Sequence, residues 1–406
     1  MTRLGRRRAI GASMGSLAGL AMPGIARAQS GPVRIGILND QSGPFADLAG
    51  VGSVEAARMA VQDFGGSVLG RAIEVVAGDH QNKADVGSAL ANRWYERDGV
   101  DVIMDIPNSG VALAVQAVAA QQRKLVIYSS AAVSDLTGRA CSPYGIHWTF
   151  DSYALARSTA SAVLRQGGTS WFFLAVDYAL GATLQRDAEA VIQAGGGTVV
   201  GSVRHPLNTP DFSSFLLQAQ SSGAKVLAFA NAGADLSNSI KQAASFGLFR
   251  SMTPTAIMAF LTDIHAIGLE DAQGLLLTES FYWDMNDAAR AWSARFMERR
   301  GRMPTMPQAG VYTATLHYLN AIRAAGSKEA GPVSAAMHSA PINDFMTTNG
   351  SIRADGRVMR DFYLFQVKAP SESRAPWDYY TLRQTIPAEA AARPLAEGGC
   401  TSIALR

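Results

Sequence analysis

The chain has 406 residues, and at roughly 100–200 residues per domain it is long enough for two or three domains. With 48% hydrophobic and 17% charged residues, it can build sizeable cores, which excludes a disordered chain. The formal charge is +3, but Arg3, Arg6, Arg7, Arg8 and Arg27 fall in the first 28 residues, which hold no acid. The remainder is mildly acidic and has no basic patch interleaved with aromatics, so no nucleic-acid partner is expected.

The chain opens as an export signal, residues 1–28. Its arginine-rich start precedes a mild apolar stretch from Ala9 to Met22. Pro23, Gly24 and the small-x-small triplet Ala26-Arg27-Ala28 then place cleavage before Gln29. The adjacent arginines, with glycines and serines diluting Gly11 to Gly19, lean towards the twin-arginine route. No cysteine follows the apolar stretch, so no lipid anchor is expected. No later run reaches the roughly 18 apolar residues of a membrane span. Gly11-Ala12-Ser13-Met14-Gly15 spells a nucleophile elbow, yet that motif needs a strand before it and a helix after it. Inside a leader that is cut away it carries no chemistry.

After Gly31-Pro32 the chain repeats one unit: a short apolar run, a loop, an amphipathic stretch, a glycine. Val33–Leu38 reads as a strand. Val54, Ala57, Val61 and Phe64 then recur at helical spacing, with Glu55, Arg58 and Gln62 opposite. Gly65-Gly66 closes that helix with a left-handed cap. Ile73–Ala77, Val102–Ile106 and Leu125–Tyr128 read as strands, with helices over Ala84–Arg97 and Val111–Gln122 between them.

The unit then starts again. Trp171–Val176 is a strand, the helix after Gly181 carries Leu184, Ala188 and Val191, and Gly195-Gly196-Gly197 precedes strand Val199–Val203. Phe212, Phe215 and Ala219 mark a helix, followed by strand Val226–Ala230, a helix from Leu236 to Phe246, and strands near Thr255–Ala259 and Leu275–Thr278. Strands alternating with helices predict parallel sheets covered on both faces, and two successive sets predict two doubly wound lobes. Beyond Tyr282, helices over Asp287–Arg300 and Pro307–Ala324 lead through Asn349-Gly350 and Asp355-Gly356 to a β run, Phe362–Val367. No low-complexity linker separates the halves, which predicts several crossings and a hinged cleft.

Catalytic signals are weak. Cys141 and Cys400 are too few for a zinc site. In an exported protein the even pair reads as a disulfide tying the C-terminal tail to the loop before Trp148, with two free thiols as the alternative. The six histidines show no metal-binding spacing, and no phosphate-binding glycine loop follows a strand. No metal, no cofactor and no enzyme activity are expected.

The strand ends are more informative, because open parallel sheets bind ligands outside the carboxyl ends of their strands. Those positions hold Asn39 to Phe45, Asp79-His80-Gln81, Pro107-Asn108-Ser109 and Ser129-Ser130-Ala131. In the second half they hold Asp177-Tyr178, Asn231-Ala232-Gly233, Phe260 and Phe281-Tyr282-Trp283. Small hydroxyls and amides there cap helices, and facing aromatics make a ligand crevice.

Several of these stretches together resemble the leucine/isoleucine/valine-binding proteins of ABC transporters. They are Val33-Arg34-Ile35-Gly36-Ile37-Leu38 followed by Ser42-Gly43-Pro44, Asp79 before a helix, and Ile127-Tyr128-Ser129-Ser130-Ala131-Ala132 before Leu136-Thr137. Asp177-Tyr178-Ala179-Leu180-Gly181 and Asp211-Phe212-Ser213 follow in the same order, and the resemblance runs from about Pro32 to Val367. It implies the type I periplasmic binding fold, α/β, with two Rossmann-like lobes joined by a three-strand hinge: residues 31–148 plus 282–360, and residues 149–281 plus 361–406. It also implies a monomeric periplasmic protein that closes on a small molecule and delivers it to an inner-membrane ABC permease. A secreted α/β enzyme and the binding component of a membrane sensor are the alternatives.

In that family a hydroxyl residue after the third strand and a short small-residue run after the fourth hold the ligand carboxylate. Here those positions match Asn108-Ser109 and Ser130-Ala131-Ala132, and Tyr178 matches the tyrosine that closes from the second lobe. With Ser42, Phe45, Asn231, Phe260, Tyr282 and Trp283 these make up the expected ligand site. Ala132 stands where a threonine would help hold an α-amino group, and Met258 to Leu261 has no acid where the family often places one. The expected ligand is therefore a small carboxylate or aromatic compound, with an amino acid as the alternative.

Overall fold

Alternate residues of each central strand serve different cores, and this fixes the layering. The computed structural model describes residues 31–402; the expected leader lies outside them. Its first half contains β1 (Val33–Asn39), α1 (Gly50–Phe64), β2 (Ser67–Val68), β3 (Arg71–Asp79), α2 (Ala84–Glu96), β4 (Val102–Asp105), α3 (Ser109–Gln122), β5 (Leu125–Tyr128) and β6 (Gly145–His147). They form a sheet of order β2-β3-β1-β4-β5-β6, parallel throughout except for the β2–β3 hairpin. Ile35, Ile37, Val102, Met104, Leu125 and Ile127 join one core with residues of α1. Ile103, Val126 and Tyr128 point into another with α2 and α3. A strand whose side chains alternate between two covered faces must be apolar along its whole length. Gly36 belongs to this packing: a Cβ there would lie 2.5 Å from the Trp94 ring of α2.

The second half repeats the plan with α4 (Ser152–Arg165), β7 (Ser170–Val176), α5 (Ala179–Ala194), β8 (Thr198–His205), α6 (Ser213–Ser221), β9 (Val226–Ala230), α7 (Gly233–Ser245), β10 (Thr253–Ala256), α8 (Leu261–Ile267), α9 (Leu269–Ala272) and β11 (Leu276–Glu279). The parallel sheet has order β10-β9-β7-β8. Trp171, Phe173, Val226 and Ala228 face one core, and Phe172, Leu174, Leu227 and Phe229 the other. The chain continues through α10 (Asp287–Arg300), α11 (Met306–Ala325), α12 (Ala330–Ser339), β12 (Ser351–Ile352), β13 (Val358–Met359), β14 (Phe362–Val367), β15 (Tyr380–Ile386) and α13 (Ala388–Ala391). An antiparallel sheet β11-β14-β15 packs on the second lobe's core. The two doubly wound lobes expected from the alternating pattern are present.

Several elements escape the sequence pattern, among them the short β2, β6, α9, β12, β13 and α13. The buried side of α4 is mostly small, with Ser152, Ala154, Ala156, Ser158, Thr159, Ala160 and Ala162 beside Leu155 and Val163, so it shows only a thin apolar stripe. Strand β15 is exposed at Leu382, Arg383, Gln384 and Thr385, as an edge strand. The short helices α8 and α12 also lack a clear stripe. Strand β10 ends at Ala256, earlier than expected, so Met258 to Phe260 form the approach to α8.

The chain passes between the lobes after β6, after β11 and between β13 and β14, and these crossings are tied together. The Trp148 indole N–H donates to Thr313 Oγ1 at 2.9 Å, and Ser280 Oγ donates to the Thr149 carbonyl at 3.3 Å. Buried Arg357 sits 2.7 Å from buried Asp151, whose other oxygen caps α4 by accepting from the Ala154 N–H at 2.8 Å. Cys141 and Cys400, 259 residues apart, are joined by a disulfide with Cα atoms 5.5 Å apart.

Candidate functional site

Strands of both sheets end at the crevice between the lobes. In the first lobe, Asp40 organises the turn after β1. One carboxylate oxygen accepts from the Gly43 N–H at 2.7 Å, the other from the Phe45 N–H at 2.9 Å and from Asn82 Nδ2 at 2.8 Å. Phe45 is buried, whereas Ser42 is exposed and donates to Asp79 at 3.0 Å. Asp79 also accepts from the Gln81 N–H at 2.7 Å. His80 is fully buried, its Nδ1 accepting from the Asn82 N–H at 3.0 Å. Burial pushes its pKa down to about 4, against the pull of Asp40 and Asp79.

The end of β4 is strained. Asp105 and Ile106 adopt φ of 88° and 58°, a region costly for residues with a Cβ. Buried Asp105 takes hydrogen bonds from Asn39 Nδ2 at 2.9 Å and from the Ser130 hydroxyl, and burial raises its pKa to about 6. Asn108 caps α3, accepting from the Gly110 and Val111 N–H groups at 3.0 and 3.1 Å. The Ser130 and Asn108 side chains are thus engaged within the lobe. Ser109 and Ser129, their neighbours, have buried hydroxyls with no partner among the described residues. Ala131 and Ala132 are buried, and their carbonyls accept from His147 Nε2 at 2.7 Å and the Ser152 N–H at 2.6 Å.

From the second lobe, Tyr178 precedes α5 and its buried hydroxyl has no partner among the described residues. Burial raises that hydroxyl's pKa well above the usual value, and the charges of Asp235 and Asp40 push the same way. Asn231, at the end of β9, has a buried, unpartnered Oδ1. Phe260 packs edge-on against Phe150 of the first crossing, ring centres 5.4 Å apart. Its N–H donates to Asp263 at 2.9 Å, and burial raises the Asp263 pKa to about 7.

Two of the expected residues turn their polar ends to the C-terminal segment. The Tyr282 hydroxyl and the Trp283 indole N–H both donate to the Trp377 carbonyl, at 2.9 and 2.8 Å. Tyr282 packs on Phe365 and Tyr380. Their polar ends therefore close the second lobe's core.

The lobes touch at two places beside these groups. The Ala234 N–H, at the start of α7, donates to the Pro44 carbonyl at 3.3 Å. Ser134, after β5, donates to Asp187 of α5 at 2.9 Å and accepts from Arg186 at 2.8 Å, while Arg186 also pairs with Asp135 at 3.3 Å. Sequence reading missed Arg186 and Asp187, which lie mid-helix with no motif around them. It also missed the acids Asp263 and Glu279. The latter is buried, accepts from the Tyr380 hydroxyl at 3.0 Å, and is held well above the usual carboxylate range by burial.

Chemically, this set of strand ends offers hydroxyl and amide groups together with the aromatic rings of Phe45, Tyr178 and Phe260. Its nearby carboxylates are engaged: Asp40, Asp79, Asp105, Asp235 and Asp263 each accept at least one hydrogen bond from their own lobe. Asp177 is exposed and lies 3.7 Å from Arg204. Among the described residues no cluster of three or more His, Cys, Asp and Glu is arranged to hold a metal ion, and no helix is long and apolar enough to cross a membrane.

Comparison with known proteins agrees with this architecture. The periplasmic binding protein family profile matches residues 32–373, so the chain belongs to that family. A periplasmic binding protein from Burkholderia mallei is 47% identical and superposes with a TM-score of 0.90, covering 91% of this chain and 98% of that one. A branched chain amino acid ABC transporter periplasmic ligand-binding protein from Burkholderia xenovorans LB400 is 40% identical with a TM-score of 0.81, covering 91% of this chain and 100% of that one. The Leu/Ile/Val-binding protein homolog 6 of Brucella abortus (strain 2308) is 28% identical over 251 residues, 61% of this chain and 63% of that protein. The alignment thus spans less than two thirds of that curated relative.

Proposed function

We propose that this periplasmic binding protein is the solute-binding component of an ABC importer. It works as an exported monomer that captures a small carboxylate or aromatic compound between its lobes and presents it to an inner-membrane permease. The lobes are residues 31–148 with 282–360 and residues 149–281 with 361–406, and residues 1–28 are the leader, of the twin-arginine type. Ligand bridging both lobes lowers the free energy of the closed state, and the permease reads that state. The observation that carries this reading is the placement of Ser109, Ser129, Tyr178 and Asn231. Their buried polar atoms lack partners among the described residues, and they follow the ends of β4, β5, β7 and β9, strands of both lobes. Buried polar atoms are costly unless satisfied, and a ligand satisfies them.

The ligand class follows from the carboxylates. An ammonium group buried in the crevice needs an acid or a set of acceptors, and the acids at the strand ends already serve backbone N–H groups and side chains of their own lobes. Hydroxyls of Ser109 and Ser129 suit a carboxylate, and Phe45, Phe260 and the Tyr178 ring suit a flat apolar body. The importer context is also supported by the ABC-transporter name of the Burkholderia xenovorans relative.

Titration calorimetry with leucine, valine and benzoate tests the reading. Micromolar or tighter binding of the aromatic acid is expected, with the ligand recovered unchanged after incubation. Binding of leucine alone, or chemical turnover of the bound acid, overturns it. Intact mass of the exported protein is expected to start at Gln29.

A further inference from the structure

Asn231 is held by two neighbours on one side only. Its Nδ2 lies 3.0 Å from His205 Nε2 and 3.3 Å from Ser239 Oγ. The Ser239 hydroxyl donates to the Leu236 carbonyl at 3.0 Å, so its oxygen is the acceptor towards Asn231, which identifies the facing atom as the amide nitrogen. His205 Nδ1 lies 2.9 Å from the Pro206 carbonyl, a group that only accepts. The ring proton therefore sits on Nδ1 and leaves Nε2 bare to accept. Both amide hydrogens of Asn231 are committed, and Oδ1, buried and without a partner, is the one group left to meet a ligand. Three residues on, the Ala234 N–H reaches Pro44 of the other lobe, so the turn that carries Asn231 runs to the lobe contact.

We propose that His205 is a positioning residue for the ligand site: it locks the Asn231 amide with its carbonyl oxygen towards the crevice, so the bound molecule must bring a hydroxyl donor to that point. This rests on the crevice reading above and narrows its ligand class to a hydroxylated carboxylate. Charging His205 reverses the arrangement. With protons on both nitrogens, Nε2 repels Nδ2 and draws Oδ1, the amide turns over, and the site presents N–H in place of C=O.

The surroundings keep the ring neutral. Phe212 and Phe215 pack on it with ring centres 4.9 and 6.2 Å away, and this burial lowers its pKa. Asp235 on α7 and Asp177 after β7 pull the other way without overcoming it. Arg204, the preceding residue of β8, lies against Asp177. Helix α6 and strand β9 contribute no ionisable group, and Asp211 and Lys241 nearby are exposed.

The test uses the full mature protein and two probes, 4-hydroxybenzoate and its methyl ether, which keeps the oxygen and loses the donor. At pH 7.5 calorimetry is expected to show about ten-fold tighter binding of the hydroxy acid, the effect of one donor on a buried acceptor; at pH 5 the preference shrinks. His205→Gln, whose side-chain oxygen accepts but does not titrate, is expected to keep the preference at both pH values, and His205→Phe to lose it at both. Equal binding of the two probes at pH 7.5 overturns the proposal. Nitrogen-15 NMR of the ligand-free protein reads the His205 tautomer directly: a bare Nε2 at pH 7.5 supports it, a protonated Nε2 overturns it. Failure of both probes to bind overturns the aromatic-acid reading instead, and the tautomer still decides the role of His205.

Discussion

The backbone N–H of Ala234 donates to the carbonyl of Pro44 at 3.3 Å, joining the start of α7 in one lobe to the first strand-end loop of the other. Helix α7 has no side-chain cap at its N-terminus, so one of its first amide groups is satisfied across the crevice. Opening the lobes breaks that bond and returns the amide to water.

Gly233 makes this contact possible. Its φ is +61°, and a Cβ would lie 2.3 Å from the Pro44 oxygen. Gly233→Ala is expected to leave the fold intact by circular dichroism, because the clash falls between lobes. It adds about 1–2 kcal/mol of left-handed backbone cost and is expected to weaken ligand binding at least ten-fold. X-ray scattering is expected to show a variant that compacts less on adding ligand; unchanged affinity would place closure elsewhere.

The Cys141–Cys400 bridge closes a loop across a sequence separation of 259 residues. In the chain-entropy model a loop of this length stabilises by roughly 5 kcal/mol as an upper value. Thiol titration of unfolded, unreduced protein is expected to find no sulfhydryl. The Cys141→Ser, Cys400→Ser double variant is expected to fold with a lowered melting temperature and unchanged ligand affinity.

Arg357 and Asp151 form a buried ion pair at the crossings. Removing one partner strands a buried charge, so Arg357→Met is expected to cost about 3–5 kcal/mol in urea unfolding. Adding Asp151→Asn, which keeps an oxygen to cap α4, is expected to restore part of that loss. Additive losses in the double variant would show that the pair is not coupled.

Asp263 gives a pH signature. Its folded pKa of about 7 lies above the ordinary value of 3.8. The folded state therefore binds the extra proton between those values. The stability it contributes is present below about pH 4 and is lost as pH rises through about 7, at up to about 1.4 kcal/mol per pH unit. Asp263→Asn keeps an acceptor for the Phe260 N–H and is expected to flatten that loss when urea midpoints at pH 5 and pH 8 are compared. A variant with the same pH slope as the parent would show that Asp263 ionises freely in the folded state.

Much of the architecture is written in the sequence because burial on both faces demands it. Strands such as Val102–Asp105 and Leu125–Tyr128 are buried at every position and read as continuous apolar runs, and the glycines after helices such as α1 and α5 mark the return to the sheet. The strand-end positions were legible for the same reason, since strand order fixes where they lie: Asn108, Ser109, Tyr178 and Asn231 all follow the expected strand ends. The sequence also announced the cysteine pair.

Tertiary structure alone decided how each polar group is used. Ser109 and Ser130 look alike in sequence, but Ser130 is drawn onto Asp105 while Ser109 is left unpartnered. Tyr282 and Trp283 have the composition of a ligand wall, yet the C-terminal segment, through the Trp377 carbonyl, claims their polar ends. His205 and Asn231, 26 residues apart, become partners only when β8 and β9 take places on either side of β7. Apolar burial is set by a residue's own chemistry and its spacing, so it can be read locally. A hydrogen bond is set by which two groups the folded chain brings within 3 Å, and no local pattern encodes that distance.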